Sequence, residues 1–377
     1  MADKYLVEPD VGFIKELQGL GGDTLKKCFQ CATCSVACPI APENKPFPRK
    51  EMIAASWGLK DRLVGNADIW LCHNCGDCTS LCPRGAKPGD VMGAVRSYAI
   101  SEYARPKSVA KMVNDPNQLF ILILIPTVIF IVLGLLTGLL NFNPGGDEIV
   151  HSKFFSTWLV DLIMIPAFIW AAAVFAMGIS RFLGDIHQNA VLEGKTDKEK
   201  IEIRGFLQAL CQVIPTILKH KKFSECGENQ ERATSHLMVF YGFVGLFIVT
   251  NIFFVTLYVF QIHGPYQQIN PVKWLANVSG IALVIGSLLM LKDRIADSDQ
   301  VTVYKDWYLI GLALGLGVTG MLTEMTRLAD LAFLSYFIYF VHLIFVFNLF
   351  AFLPFSKLAH LVYRTVAMTY AEYAGRK

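Results

Sequence analysis

Six long apolar stretches constrain the fold of this chain more than any other feature of its sequence. They carry almost no charged residues and cover 119–140, 158–180, 237–260, 274–291, 307–323 and 331–355. A helix needs roughly 20 apolar residues to cross a hydrocarbon layer of about 30 Å. Six such runs favour six membrane-spanning helices over buried core helices of a large soluble protein, although the fifth, with 17 residues, is short.

The polar part of the chain is its first third. Of the 377 residues 54% are hydrophobic, yet residues 1–118 have the composition of an ordinary soluble protein and hold eight of the ten cysteines. This shift predicts a soluble domain at 1–118 and a membrane domain at 119–377, with a long cytoplasmic connection at 181–235. The net charge of +3, without a basic block interleaved with aromatic residues, disfavours nucleic acid as a partner.

Lysine and arginine are distributed unequally between the connections. Three lie in 142–157, 261–273 and 325–330, whereas sixteen lie in 181–235, 292–306 and 356–377. Because cytoplasmic loops carry the excess of positive charge, the second group of segments is predicted to face the cytoplasm. Both termini are then cytoplasmic, in agreement with an N-terminus that has no charged-then-apolar signal pattern. The sequence predicts a multi-pass protein of the cytoplasmic membrane.

Two cysteine runs of identical spacing, C-x2-C-x2-C-x3-C-P, lie in residues 1–118. They contain Cys28, Cys31, Cys34, Cys38, Cys72, Cys75, Cys78 and Cys82. Bacterial two-cluster ferredoxins have this run, in which the fourth cysteine serves the other [4Fe–4S] cluster. The predicted ligand sets are Cys28, Cys31, Cys34 and Cys82 for one cluster, and Cys72, Cys75, Cys78 and Cys38 for the other. Two complete runs closed by proline favour clusters over zinc, and a reducing compartment disfavours disulfides.

Three further helices are predicted outside the spans. Residues 48–68 carry apolar residues at near-helical spacing and predict a helix packed over the clusters, and residues 89–104 predict a second helix. In the long connection, apolar residues of IEIRGFLQALCQVIPTILKHKKF recur at helical spacing between basic ends. This pattern suits an interfacial helix or a docking surface for a partner. Cys211 and Cys226, in the same connection, lack ligand spacing.

Three histidines are candidates for binding haem. His342 lies near the middle of the sixth stretch, and His360 follows 18 residues later. If the helix runs on, the two rings share a face about 27 Å apart. His236 begins the third stretch at its cytoplasmic mouth, at the same depth as His360, which is the arrangement a bis-histidine haem requires. For His342 alone, a haem ligand, a packed polar residue and a proton relay remain open.

The remaining histidines are placed in connections or in a cysteine run. They are His73, His151, His187, His220 and His263, and we interpret them as solvated loop residues.

The sequence resembles two known families in its two halves. The N-terminal 100 residues resemble the iron–sulfur C subunit of heterodisulfide reductases. The last three or four spans resemble the cytochrome b subunit of respiratory nitrate reductase and its heterodisulfide reductase counterpart, through SHLMVFYGFVGLF at 235–247 and VHLIFVFNLFAFLPFSKLAH at 341–360. The fusion resembles the C-subunit family of the quinone-interacting membrane-bound oxidoreductases of sulfate reducers.

The resemblance implies which histidines bind haem. The cytochrome family has ligands at the positions of His236, His342 and His360, and a further histidine after the glycine that is matched by Gly245. Here that position is Leu246, which cannot ligate iron. The inner haem, between His236 and His360, therefore carries over. An outer haem would pair His342 with another ligand, His263 or a methionine, or it is absent.

The resemblance also implies a function. The expected fold is mainly α, a helical two-[4Fe–4S] ferredoxin-like domain joined to a six-helix transmembrane cytochrome b bundle. The chain would pass electrons between menaquinone and cytoplasmic flavin and iron–sulfur subunits, in the service of adenylylsulfate reductase. It would be a relay and not a complete enzyme. No catalytic residue is identified; Glu324, Lys273 and Asp161 are candidates for handling the protons of quinone chemistry.

Two other functions remain open. The same cofactors would serve the membrane subunit of a heterodisulfide-reductase-like or sulfite-linked complex. A transporter or anchor with regulatory clusters would lack haem altogether.

Overall fold

The computed structural model describes residues 8–42, 46–146, 148–219, 232–296 and 302–375, and nearly all of its regular structure is helical. Within these ranges no strand forms, and the only β-type pairing is an isolated bridge between Leu140 and Phe155. The prediction of a mainly α fold is confirmed.

The N-terminal unit is built from short helices around one long one. They are α1 (Val11–Leu17), α2 (Thr33–Val36), α3 (Arg49–Ser56), α4 (Lys60–Val64), α5 (Asp68–Leu71), α6 (Asp77–Ser80), α7 (Pro88–Tyr103) and α8 (Lys107–Val113). A π-helical turn, Gln18–Gly22, and a 3-10 turn, Asp23–Lys27, lead into the first cysteine run. The core is the buried face of α7, which packs on Phe13 and Leu17 of α1. The helix predicted at 89–104 is confirmed as α7.

The single helix predicted at 48–68 is wrong, because the chain breaks between α3 and α4. Gly58 stands at the break with φ +68°, a conformation that side chains disfavour. A Cβ at this position would lie 2.6 Å from the carbonyl oxygen of Asp10. The Gly58 carbonyl accepts a hydrogen bond from the Asp10 amide at 3.0 Å, so the break holds the start of α1.

The rest of the chain forms a helical bundle. Its helices are α9 (Leu119–Thr137), α10 (His151–Phe154), α11 (Thr157–Leu192), α12 (Ile203–Leu218), α13 (Arg232–Tyr258), α14 (Pro271–Ala296), α15 (Tyr304–Leu328), α16 (Ala332–Phe352) and α17 (Ala359–Tyr373). The segments Pro116–Thr137, Thr157–Leu192, Arg232–Tyr258, Pro271–Ala296, Tyr304–Leu328 and Ala332–Tyr373 are long and apolar enough to cross a membrane. The six predicted spans are confirmed as candidate spans, and the fifth is 25 residues long.

Two helix boundaries differ from the prediction. Helix α11 continues for 36 residues to Leu192, so the connection predicted to start at 181 begins with ordered helix. A 3-10 turn at Leu353–Phe355 separates α16 from α17. Pro354 lies in that turn, and proline lacks the amide hydrogen that an α-helix needs. His342 and His360 are therefore not on one uninterrupted helix, and the shared-face argument does not apply.

The N-terminal unit packs on the bundle through buried aromatic rings. Trp70 stacks on Tyr363 of α17 with centroids 5.5 Å apart, and Phe182 of α11 meets both rings edge-on. The Tyr103 hydroxyl donates a hydrogen bond to Asp185 of α11 at 2.9 Å. Stacked and edge-on pairs of this kind add about 0.5–1.5 kcal/mol each beyond their burial. The N-terminal unit and α17 consequently lie at the same end of the bundle.

Small residues let the spans approach closely where the predicted family motif lies. A Cβ on Gly245 of α13 would fall 2.1 Å from the Ser279 hydroxyl of α14. Close approach through small residues is a general means of packing helices in lipid. Gly245 is therefore needed for the contact between α13 and α14, whatever follows it in sequence.

Candidate cofactor sites

The two cysteine runs adopt the same backbone conformation. In each, the residues two and four positions after the first cysteine have positive φ: Gln30 (61°) and Ala32 (69°) in the first run, Asn74 (56°) and Gly76 (100°) in the second. Each loop then forms one turn of helix, α2 or α6, and these two helices pack on each other. The sequence repeat is therefore also a structural repeat.

The first group of thiols contains a cysteine from the second run. Burial, followed by the neighbouring thiols of Cys28, Cys31 and Cys82, raises the pKa of Cys34 to about 11. Cys31 is exposed, and a hydrogen bond with the Thr33 hydroxyl lowers its pKa. Cys28, Cys31, Cys34 and Cys82 thus lie near one another; we call them the first thiol set.

The second group is more enclosed. Burial raises the pKa of Cys38 to about 11, and the nearby Cys72 and Cys75 raise it further. Burial also raises the pKa of Cys78, with Cys72 and Cys75 as the next contributors. Cys38, Cys72, Cys75 and Cys78 form the second thiol set. In the described part of the chain, no three His, Cys, Asp or Glu side chains could hold a single metal ion.

Backbone amides donate to a sulfur atom in each set. The amide of Asn74 donates to Cys72 Sγ at 3.4 Å, and the amide of Ala86 donates to Cys82 Sγ at 3.3 Å. Hydrogen bonds to ligand sulfurs are one of the factors that set the potential of an iron–sulfur cluster. The thiols need a cationic centre to become thiolates at neutral pH, since burial opposes their ionisation.

A large cavity lies between the N-terminal unit and the bundle; we call it the inner cavity. His236 of α13 and His360 of α17 line it on the bundle side, and Cys72, His73 and Asn74 of the second cysteine loop line it on the other. Its empty space, including the open mouth, is about 1590 Å³. The structure therefore brings the two predicted haem histidines together, beside a thiol of the second set. His73, interpreted above as a solvated loop residue, belongs to this wall.

The wall of the inner cavity fits a b-type haem. Its cationic residues are Arg96, Arg232, Arg294, Lys357 and Arg364, which suit the two propionates of a haem. Met290, Leu309 and Ile310 supply apolar surface for a macrocycle. The Nδ1 atom of His360 lies 2.7 Å from the Lys357 carbonyl oxygen. That bond fixes the tautomer and makes Nε2 the coordinating nitrogen.

Arginines join the second cysteine loop to the bundle. Arg364 of α17 donates to the Cys72 carbonyl oxygen at 3.3 Å, and Arg96 of α7 donates to the same oxygen at 3.4 Å and to the Ile69 carbonyl at 2.8 Å. Arg364 lies one helical turn after His360. A single side chain therefore links the backbone of a predicted cluster ligand to the helix of a predicted haem ligand.

His342 lies elsewhere. Its Nδ1 is 2.9 Å from the Thr319 hydroxyl of α15, and a Cβ on Gly320 would lie 3.2 Å from its Cε1. Within the described residues it does not line the inner cavity. His263 does not lie beside it; its Nδ1 is 2.9 Å from the Gln261 carbonyl oxygen, in the loop after α13.

A second cavity, the outer cavity, opens at the opposite end of the bundle. All three predicted proton-handling residues, Asp161, Lys273 and Glu324, line it, together with His151 and Tyr258. Its empty space, including the open mouth, is about 1140 Å³. Sequence reasoning missed Tyr258, although a tyrosine at the end of a span is a recognisable interfacial residue.

Polar pairs make the outer cavity suitable for proton chemistry. Glu324 accepts from Lys273 at 2.8 Å and from Arg327 at 2.9 Å, and Tyr258 donates to Asp161. Burial lowers the pKa of His151 to about 4, so its ring is neutral at physiological pH. Its Nε2 is hydrogen-bonded with Ser335 at 2.9 Å.

The other predicted residues fall outside both cavities or outside the described ranges. His187 lies on α11, where it is hydrogen-bonded with the Tyr370 hydroxyl at 2.9 Å. Cys211 is exposed on α12. His220 and Cys226 lie outside the described residues.

Comparison with known proteins addresses the N-terminal unit. Residues 24–86, which contain both cysteine runs, match the 4Fe-4S dicluster domain family. Residues 24–86 are a 4Fe–4S dicluster domain. The prediction of two [4Fe–4S] clusters in the N-terminal unit is supported by this match, whose residues include both thiol sets.

The relatives of this dicluster domain are subunits of larger complexes. The C subunit of the H(2):CoB-CoM heterodisulfide,ferredoxin reductase of Methanothermobacter marburgensis is 36% identical over 90 residues, 24% of this chain and 49% of that protein. A protein of Archaeoglobus profundus that is named as similar to the heterodisulfide reductase C subunit is 33% identical over 105 residues, 28% and 56%. The C subunit of the ferredoxin:CoB-CoM heterodisulfide reductase of Methanosarcina acetivorans is 32% identical over 108 residues, 28% and 42%.

These likenesses are confined to the N-terminal unit. The chain spans about half the length of the first relatives, 49% in the Methanothermobacter protein. No solved structure matches the chain.

Proposed function

We propose that this chain is the membrane electron-transfer subunit of an oxidoreductase complex, passing electrons between a membrane quinone and cytoplasmic partner subunits. The observation that carries the proposal is the inner cavity, which has His236, His360 and Cys72 in one wall. Bound haem b and iron–sulfur clusters would supply one-electron transfer, for which the protein sets spacing and burial.

The cluster ligands in this proposal are crossed between the runs. Cys82 would complete the site of Cys28, Cys31 and Cys34, and Cys38 would complete the site of Cys72, Cys75 and Cys78. The mutual influence of the thiols on one another's pKa supports this division. Cys72 lines the inner cavity, so the second thiol set is the one beside the haem site.

The haem ligands in the proposal are His236 and His360. The cations of the inner cavity would neutralise the propionates, and the Lys357 carbonyl would orient the His360 ring. A second haem at His342 is not included, because Leu246 occupies the family's histidine position and the Thr319 hydroxyl is hydrogen-bonded with the ring.

The quinone site in the proposal is the outer cavity. A quinone needs an apolar pocket open to the bilayer and polar groups at its carbonyl oxygens. Lys273 Nζ and the Tyr258 hydroxyl can donate to those oxygens, while Glu324 and Asp161 can accept the protons released from a quinol.

The partner proteins follow from the resemblance and the relatives. We propose flavin and iron–sulfur subunits of the same complex as partners, menaquinone as the quinone and adenylylsulfate reductase as the protein served. The N-terminal unit and both termini would be cytoplasmic. The heterodisulfide reductase relatives favour, as the second candidate, a membrane subunit of a heterodisulfide-reductase-like complex.

The inventory of iron tests the proposal directly. Purified protein should hold about eight non-haem irons and one haem b per chain. Chelatable iron and haem are measured separately, and the reduced protein should show b-haem absorption bands. Iron without haem would contradict the proposal and favour an anchor with regulatory clusters.

Replacing Lys273 with methionine should slow haem reduction by a quinol analogue about tenfold, because the carbonyl oxygen loses a donor of roughly 1.4 kcal/mol or more. Stopped-flow absorption measures the rate, and dithionite should still reduce the haem fully. The control is Lys153→Met, an exposed lysine at the same end of the bundle. Equal rates in both variants would move the quinone site away from the outer cavity.

Replacing Arg364 with methionine should loosen the second cysteine loop. The Cys72 carbonyl loses a charged donor, and such bonds contribute about 1.5–3 kcal/mol. Under a chelator challenge, about half of the cluster iron should be lost roughly tenfold faster than in the parent. The matched control, Arg204→Met on exposed α12, should lose iron at the parent rate. Identical kinetics in the two variants would mean that Arg364 does not hold the loop.

A further inference from the structure

The surroundings of the two thiol sets differ sharply in exposure. Six exposed side chains, each either basic or large and apolar, lie within two residues of Cys28, Cys34 or Cys82, all members of the first thiol set. They are Lys26, Lys27, Phe29, Val36, Leu81 and Arg84. We call these six residues the cluster face. Around the second set, by contrast, Cys75 and Cys78 are buried, and Cys72 faces the inner cavity.

Contacts show that the cluster face is continuous. The Arg84 guanidinium lies over the Phe29 ring at 4.0 Å, which joins the loop after Cys82 to the loop after Cys28. Cys82 is also close enough to Cys34 to raise its pKa. Val36 ends α2 and Leu81 follows α6, the two helices that pack on each other.

The cluster face combines apolar and basic character. Phe29 is 67% exposed, Val36 88% and Leu81 58%, so three large apolar side chains stand in solvent around one thiol set. Grouped exposed apolar residues of this kind mark interaction sites. Its three cations, Lys26, Lys27 and Arg84, form no ion pair with any carboxylate in the described ranges of the chain. Their charge is therefore available to an acidic partner.

We propose that the cluster face is the docking surface for an acidic patch on a soluble, cofactor-bearing redox subunit. This inference rests on the proposed function and adds to it the end at which electrons enter or leave the N-terminal unit. The second thiol set faces the bundle, and the first faces solvent with Cys31 exposed. Only the first set can approach a cofactor in another protein. Apolar contact would supply affinity, and the cations would supply orientation and rate.

Site-specific cross-linking in the assembled complex identifies the occupant. A photoreactive amino acid replaces Val36 in the full chain, and the complex is purified from membranes after irradiation. The matched control is Leu207 on α12, a 53% exposed apolar residue at the same end of the bundle. We expect position 36, and not position 207, to link to an acidic peptide of a subunit that carries flavin or iron–sulfur cofactors.

Other products would overturn the inference. Adducts from position 36 only with lipid would make the cluster face a membrane contact. Adducts only with a second copy of the chain, or with a subunit that holds no redox cofactor, would remove the docking role. Absence of any adduct at position 36 would do the same.

Charge reversal tests the basic character with defined probes. In purified protein with reduced clusters, Lys26→Glu, Lys27→Glu and Arg84→Glu together should slow oxidation by anionic tris(oxalato)ferrate about tenfold. Oxidation by cationic hexaammineruthenium should become faster. The control triple, Lys15→Glu, Lys111→Glu and Lys200→Glu, changes the net charge equally at exposed positions elsewhere. Equal effects of the two triples would show that net charge alone acts, and would contradict a local docking site.

Failure of this inference can be told apart from failure of the proposed function. Cluster iron and haem reduction by a quinol analogue are measured in every variant before the probes are added. Parent protein without clusters or haem would sink the proposed function. Charge-reversed protein with normal clusters and haem reduction, but unchanged probe rates, would sink only the docking surface.

Discussion

Replacing Cys82 with alanine is expected to destroy the cluster that begins at Cys28, although 54 residues separate the two positions. The second cluster, beginning at Cys72 in the same run as Cys82, should survive. The reason is that Cys82 lies with Cys28, Cys31 and Cys34 in the first thiol set. Losing one of four thiolates leaves one iron without a protein ligand, and cluster stability depends on the full set.

Iron analysis and EPR of the reduced variant measure this outcome. About half of the non-haem iron should disappear, or the first cluster should convert to a three-iron form with a different EPR signal. Cys211→Ala is the matched control, because Cys211 is an exposed cysteine far from both runs. Loss of the same signal in Cys75→Ala as in Cys82→Ala would show that each run holds its own cluster, and the crossed assignment would be wrong.

The sequence predicted the parts of this protein that depend on local patterns. Apolar length alone located all six candidate spans, because a helix in lipid has to satisfy its own backbone. Cysteine spacing located the dicluster domain, because four thiolates and a proline in eleven residues leave few structural alternatives. Both patterns are contained in the chain itself and need no knowledge of tertiary contacts.

The errors arose where tertiary contacts decide the conformation. The helix predicted over 48–68 breaks at Gly58 because that residue meets Asp10, which is distant in sequence. Helix α11 extends to Leu192 because its end packs on the N-terminal unit, where the Tyr103 hydroxyl bonds to Asp185. Neither contact leaves a periodic signal in either segment.

The candidate sites divide in the same way. His236 and His360 could be paired by depth, since each stands at the start of a helix at the same end of the bundle. The role of Arg364 could not be predicted, because its partner is a backbone carbonyl at Cys72, and every residue has one. The outer cavity gathers Asp161, Tyr258 and Glu324 from three helices, which periodicity within one helix cannot reveal.

Replacing His360 with alanine should remove the haem of the inner cavity while both clusters remain. The expected loss is at least about tenfold in the reduced-minus-oxidised haem amplitude, since an axial ligand contributes more than the second-shell groups whose loss costs about 10–100-fold. His236→Ala should give the same loss from a different helix, so a folding defect in α17 alone cannot explain both. Added imidazole should restore part of the amplitude in either variant.

The control for this result is a histidine at the other end of the bundle. His263→Ala changes a ring bonded only to a loop carbonyl among the described residues, so the haem amplitude should stay at the parent value. His342→Ala distinguishes one haem from two: because Leu246 stands where the family has its second ligand, the amplitude should stay within about a tenth of the parent value. An amplitude halved by His342→Ala would mean that a second haem is held by His342 with a ligand other than the family's histidine. Full amplitude in His360→Ala would disprove the pairing of His236 with His360, and with it the placement of haem beside the second thiol set.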